Sequence, residues 1–140
     1  MNKFQKERHS AAVKANPYLK LLDKKLLSLG GDTVVLWNPD TTTEETFVQV
    51  LLAFGRVTRG STARLQVMAM GQCHANAREL SKKYPKRYQA ETGYALSADG
   101  CWRPHSVRHS YFSWVWDIKE SRVVETTETR TKYFGFTERV

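Results

Sequence analysis

Cys73 follows a glycine turn and opens a helical run, in the order Gly71-Gln72-Cys73-His74-Ala75-Asn76-Ala77. A helix N-terminus carries roughly half a positive charge, which stabilises a thiolate and lowers the pKa of a thiol placed there. Such a thiol becomes a nucleophile once a histidine shuttles its proton and an acid orients the imidazole. The downstream sequence supplies both, in Trp102-Arg103-Pro104-His105-Ser106 and Val123-Val124-Glu125-Thr126-Thr127. The predicted roles are Cys73 as nucleophile, His105 as proton shuttle and Glu125 as orienting acid. The rival for Cys73 is an inert buried thiol, the usual fate of a free cysteine.

Each role has a competitor. His109 is an even number of residues from His105, so an extended chain projects both to the same face. His105 has the more distinctive neighbours, and His109 lies closer to the aromatic strand; both stay candidates. His74 is expected to point away from its neighbour Cys73, as a solvated or capping residue, and His9 to be exposed. Asp117 is the alternate acid, on the face opposite Phe112, Trp114, Trp116 and Ile118. The Cys73 N–H with Gln72 or Asn76 would line an oxyanion site, and Trp102 and Tyr94 would wall the substrate groove. Cys101, His105 and His109 have a spacing that aligns ligands on a helix, but Pro104 and the β-rich surroundings argue against one. With no Cys-x-x-Cys knuckle either, no metal and no cofactor is expected.

The elements that must position these groups change character along the chain. Leu19, Leu22, Leu26 and Leu29 recur at helical spacing after Pro17, and Gly30-Gly31 stops the run. A short strand over 33–37 follows, then a helix from a Thr43 cap to Phe54 with Phe47, Val50, Leu51 and Phe54 on one face. A strand over 65–70 leads to the cysteine helix over 75–83. Beyond it, 88–97, 101–118 and 122–127 are rich in aromatic and β-branched residues, with turns at 98–100 and 119–121. The fold class predicted is α+β: N-terminal helices, and a Cys-bearing helix packed on an antiparallel sheet of four to six strands. One domain over 1–140 is expected, with a helical part over 1–60 and a Cys-His-acid core over 65–127.

The chain has 140 residues, 41% hydrophobic and 11% aromatic, which fits a globular protein and not a disordered one. No apolar run is long enough to span a bilayer, so no membrane partner is expected. The N-terminus shows no apolar signal region. Two cysteines make no disulfide framework, which together predict a cytoplasmic protein with free thiols. The net charge of +8 is distributed over several segments without a nucleic-acid-binding fingerprint.

On these residues the chain resembles the transglutaminase-like superfamily of papain-like thiol enzymes. The Gly-x-Cys-x-x-x-Ala helix start is Gly71 to Ala77, and Arg87-Tyr88 with Gly93-Tyr94 stands for the family's Arg-Tyr…Gly-Tyr strand. His105-Ser106 or His109-Ser110-Tyr111 stands for the histidine strand, and Glu125-Thr126-Thr127 occupies the place of the family's Asp-bearing strand. The resemblance covers about residues 65–127. It implies a papain-like core and acyl transfer at an amide through a cysteine thioester, ending on water or an amine: a hydrolase or thiol protease, or a transglutaminase. An amide-containing protein or peptide is the substrate so implied. The alternative is a non-enzymatic basic module contacting nucleic acid or an acidic partner protein.

Overall fold

The computed structural model of the protein describes residues 3–36, 42–69, 72–103 and 112–137; the side chains of 5, 42–45 and 112 are outside that description. Four helices and eight strands occur among the described residues: α1 (Lys3–Ala15), α2 (Pro17–Leu29), β1 (Thr33–Val34), α3 (Thr42–Phe54), β2 (Arg56–Arg59), β3 (Arg64–Leu65), α4 (Cys73–Lys83), β4 (Tyr88–Leu96), β5 (Cys101–Arg103), β6 (Phe112–Asp117), β7 (Arg122–Glu125) and β8 (Lys132–Thr137). The α+β class expected from the periodicity switch is therefore observed.

Local signals explain the helices. Asn16 caps α2 by accepting the Tyr18 N–H at 3.0 Å, and Pro17 occupies the first helical position. Gly30, at φ 140°, and Gly31, at φ 72°, end it in a conformation that side chains with a Cβ resist. Lys132 Nζ closes the same end by donating to the Leu29 carbonyl at 2.6 Å. Leu19, Leu22 and Leu26 form its buried stripe.

All eight strands belong to one sheet, centred on β4. On one edge β4 pairs antiparallel with β6, from Tyr88↔Asp117 to Gly93↔Phe112, and then with β5. On the other edge it pairs antiparallel with β8, from Glu91↔Thr137 to Leu96↔Lys132. The β6–β7 and β2–β8 pairs are antiparallel, whereas β1–β5 and β3–β7 are parallel. The sheet is thus mixed and larger than the antiparallel four to six strands expected. β2 and β8 were not anticipated: Arg56–Arg59 is a short run between Gly55 and Gly60, and Lys132–Thr137 is a short run next to polar residues. The strand expected over 101–118 is described only as β5 and β6.

Side-chain alternation divides the core. One set, Tyr94, Leu96, Trp102 and Phe134, packs under α2 and α3 with Leu19, Leu22, Leu26 and Leu51. Next to it Tyr88, Ala90, Val115 and Val124 receive Ala77 and Leu80 of α4. The alternate residues Ala95, Trp114, Val123 and Tyr133 form a separate cluster that also takes in Cys73. The sheet curls over that cluster and brings β2 against β7. Arg56 lies 4.3 Å over the Trp116 ring and 3.0 Å from a Glu91 oxygen. No helix among the described residues is long and apolar enough to cross a membrane.

Asp117 ends β6 and organises the turn into β7. Fully buried, it accepts the Lys119 and Glu120 N–H groups at 3.0 and 3.1 Å, and Arg87 Nη2 lies 3.1 Å away. Burial alone would raise its pKa, but Arg87 and the two amides outweigh burial and hold the carboxyl below its ordinary 3.8. Stability from this group is present above that ordinary value and lost as pH falls through the lower folded value. Asp117→Ala is expected to cost about 3 kcal/mol, the scale for removing one partner of a buried ion pair. Replacing Asp99, which is half-exposed in its pair with Arg103, is expected to cost far less. Urea melts at neutral pH compare the two.

Candidate active site

Helical spacing decides where the Cys73 thiol points. Cys73, Asn76, Ala77 and Leu80 form the buried stripe of α4, at intervals that place them on one helical face. Ala77 and Leu80 fix that face against β4 and β6, so the first residue of the helix is carried to the sheet as well. Cys73 is 1% exposed. The helix starts at Cys73 itself, with Gln72 as the cap residue and no side-chain cap hydrogen bond; Gly71 lies outside the described residues.

Backbone N–H groups of Ser113, His74 and Cys73 are directed at the sulfur and favour its thiolate. Burial outweighs them, with Glu125 adding a like charge, and the Cys73 thiol is pushed above its ordinary value. The helix-start argument predicted a lowered pKa. The difference has a physical reason: a dipole end lowers a thiol's pKa only where desolvation does not cost more.

His74 does not turn away to solvent. Its Nδ1 is hydrogen-bonded to Ser113 Oγ, and Ser113 Oγ lies 3.4 Å from Thr92 Oγ1. A polar row of Thr92, Ser113 and His74 therefore runs from the centre of the sheet to the start of α4. Asn76, expected to serve an oxyanion, spends its amide on the fold: Nδ2 donates to the Ala69 carbonyl at 2.9 Å and to Thr126 Oγ1 at 3.2 Å. It ties the chain entering α4 to the end of β7. Gln72 is exposed at the helix start.

Glu125, at the end of β7, is fully buried. Its Oε1 accepts the Thr127 N–H at 3.3 Å and the Thr127 hydroxyl at 3.1 Å, and its Oε2 accepts the Tyr133 hydroxyl at 2.9 Å. Burial pushes the carboxyl up to about 6, against the pull of these donors and of Arg130. Asp117, the alternate acid, stands four residues beyond Ser113 on β6, roughly 13 Å along the strand, and serves the turn. Tyr94 and Trp102 are core residues, 2% and 0% exposed, and Trp102 Nε1 donates to the Gly30 carbonyl at 2.9 Å. They pack under helices and do not line an open groove. His105 and His109 lie outside the described residues. Cys101 is buried and free, like Cys73, and among the described residues no three His, Cys, Asp or Glu side chains are grouped to hold a metal.

No protein family, curated protein or solved structure matches the chain. The site therefore rests on its own geometry. Glu125 acts on the charge of the Cys73 thiol through space, while its hydrogen bonds go to Thr127 and Tyr133. Ser113, Thr92, Thr126 and Tyr133 were not singled out from the sequence. A serine within an aromatic strand and two threonines after a buried glutamate were the available signals, but strand pairing alone reveals which of them meet.

Glu125 makes stability depend on pH in a defined direction. Its ordinary value is 4.5 and its folded value about 6, so the native state binds the proton more tightly than the unfolded chain. Stability is then fully present below about 4.5 and falls as pH rises through 6, by about 2 kcal/mol. Glu125→Gln is expected to remove that fall. Urea midpoints measured at intervals between these pH values check it; identical slopes in parent and variant would contradict it.

Proposed function

We propose that the protein is a thiol-dependent acyl-transfer enzyme acting on an amide of a protein or peptide, of the hydrolase or transglutaminase kind. The observation that carries this reading is the position of Cys73: first residue of α4, facing β6, with the Ser113 N–H and the helix-start N–H groups directed at its sulfur. The base of this reading is a histidine of the segment that leads into β6, His105 or His109. In the resting site the thiol keeps its proton. As the substrate carbonyl arrives, the imidazole takes that proton and sulfur attacks the carbonyl carbon. The N–H groups at the start of α4 stabilise the oxyanion. The C–N bond then breaks, the imidazolium gives its proton to the departing amine, and a thioester is left on Cys73. Water or a second amine, deprotonated by the same imidazole, releases the acyl group. Free thiols at Cys73 and Cys101 fit a cytoplasmic setting.

Two observations favour a second reading, a basic module that binds nucleic acid or an acidic protein. Cys73 sits in an apolar cluster, and α1 and α2 carry seven basic residues against Glu7 and Asp23. Among the described residues their six lysines pair with no carboxylate. Retention on nucleic acid that falls steeply with salt would mark this reading.

Cys101, on β5, is an internal control, being buried and free like Cys73. An amide-mimicking electrophile such as a peptide chloromethyl ketone is expected to modify Cys73 at least about 10-fold faster than Cys101 near pH 7. His105→Ala or His109→Ala, whichever removes the base, is expected to abolish the difference. Peptide mass mapping over time gives both rates. Equal, slow modification of the two thiols in the parent would end the enzyme reading. Cys73→Ala is expected to lose activity with little loss of stability.

A further inference from the structure

Glu125 was expected to orient an imidazole, yet its hydrogen bonds go to this chain's own hydroxyls. Tyr133, fully buried on β8, donates to Glu125 Oε2 at 2.9 Å and accepts the Arg130 N–H at 3.0 Å. Its ring is 4.9 Å from that of Trp114, and both rings belong to the cluster that holds Cys73. The phenol is therefore anchored from two sides, by backbone at its oxygen and by packing on its ring. It is a rigid donor, and a rigid donor fixes where the carboxylate stands.

We infer that Tyr133 is a positioning residue of the Cys73 site: its phenol holds Glu125 inside the cluster that contains the thiol and so couples the charge of that carboxylate to the reactivity of Cys73. Four elements contribute the groups involved. Cys73 comes from α4 with His74 beside it, Glu125 and Thr127 from the end of β7, Tyr133 from β8, and Arg130 from the connection before it. Glu91 of β4, on the same side of the sheet, is engaged by Arg56 and Trp114. Two negative charges in so dry a cluster oppose each other, so ionised Glu125 suppresses loss of the thiol proton and neutral Glu125 permits it. Burial and Glu125 likewise raise the Tyr133 phenol, which keeps it a donor throughout.

The inference rests on Cys73 being the reactive group, but its readout is stoichiometric alkylation, which needs no turnover. The rate of iodoacetamide modification of Cys73 is followed by peptide mass mapping from about pH 5 to about pH 8 in the full chain. In the parent the logarithm of the rate is expected to climb with pH and to flatten near 6, where Glu125 ionises. Tyr133→Phe keeps the ring and removes the donor; the flattening should move up by about half a pH unit or more. Glu125→Gln should abolish it and raise the rate above pH 7 by about 3-fold or more. Thr127→Ala, which removes another donor to the carboxylate, should shift the profile in the same direction as Tyr133→Phe and serves if that variant does not fold. A parent profile without flattening overturns the inference, as does a folded Tyr133→Phe whose profile superimposes on the parent's. A coupled profile in a protein that never forms an acyl adduct would instead sink the enzyme reading and leave the coupling standing.

Discussion

β4 is the constraint on which the structure depends. Antiparallel partners occupy both of its edges, and eight of its nine residues are buried. A strand so enclosed must satisfy every backbone group through its neighbours and has no solvent-facing side for polar residues. Its polar residues are therefore committed to specific partners: Glu91 to Arg56 and Trp114, and Thr92 to Ser113. Glycine meets the same crowding at position 93, where an added Cβ would stand 2.0 Å from the Phe134 carbonyl oxygen. The register of β4 with β6 thus places Ser113 opposite Thr92. Because α4 packs on the same two strands, that register also decides what Cys73 faces.

Two carboxylates inaccessible to solvent, Asp117 and Glu125, differ in what neutralises them. Burial is the leading influence on both. Asp117 has a guanidinium and two turn amides, and its pKa falls. Glu125 has one amide, two hydroxyls and a more distant Arg130, and its pKa rises. Neutral donors offset part of the desolvation; a cation in contact reverses it. Glu91 meets a guanidinium through Arg56, which also stacks on Trp116. The sheet thereby keeps paired carboxylates towards its turn and its β2 flank, and reserves the weakly neutralised one for the neighbourhood of the thiol.

Much of the scaffold was legible in the sequence, for reasons that differ by element. α2 carried its proline, its leucine stripe and its glycine stop, and each signal acts locally; its Asn16 cap came to light in the structure. The Cys73 helix and the β character after it were likewise visible as a change of period. What periodicity does not carry is partner choice. β2 and β8 pair with each other across about 75 residues of chain, and nothing in Arg-Val-Thr-Arg announces a mate in Lys-Tyr-Phe-Gly-Phe-Thr. The same blindness affected the site. Tyr94 and Trp102 were expected to wall the substrate groove, whereas their alternation phase buries them under α2 and α3. For Glu125, a carboxylate inside a strand was expected to need partners, and the partners are Thr127 and Tyr133.

Placing a thiol at a helix start is often taken as activation enough, and this site separates the two components of that idea. The helix contributes directed N–H groups, which cost nothing to reorganise when negative charge develops on sulfur or on a substrate oxygen. The sheet contributes dryness, which strengthens those N–H groups but also penalises the thiolate in the resting state. A site built from both is poised rather than activated: donors are in place, and charge is withheld until something neutralises it. Glu125 makes the withholding stronger, since its ionised form lies in the same cluster. Any base that removes the Cys73 proton must therefore leave a compensating positive charge beside the sulfur. An imidazole does so by becoming imidazolium, whereas a carboxylate would exchange one negative charge for another. The electrostatics of the buried cluster thus favour a base that becomes a cation, which is what the proposed reading asks of a histidine, with Glu125 tuning the thiol.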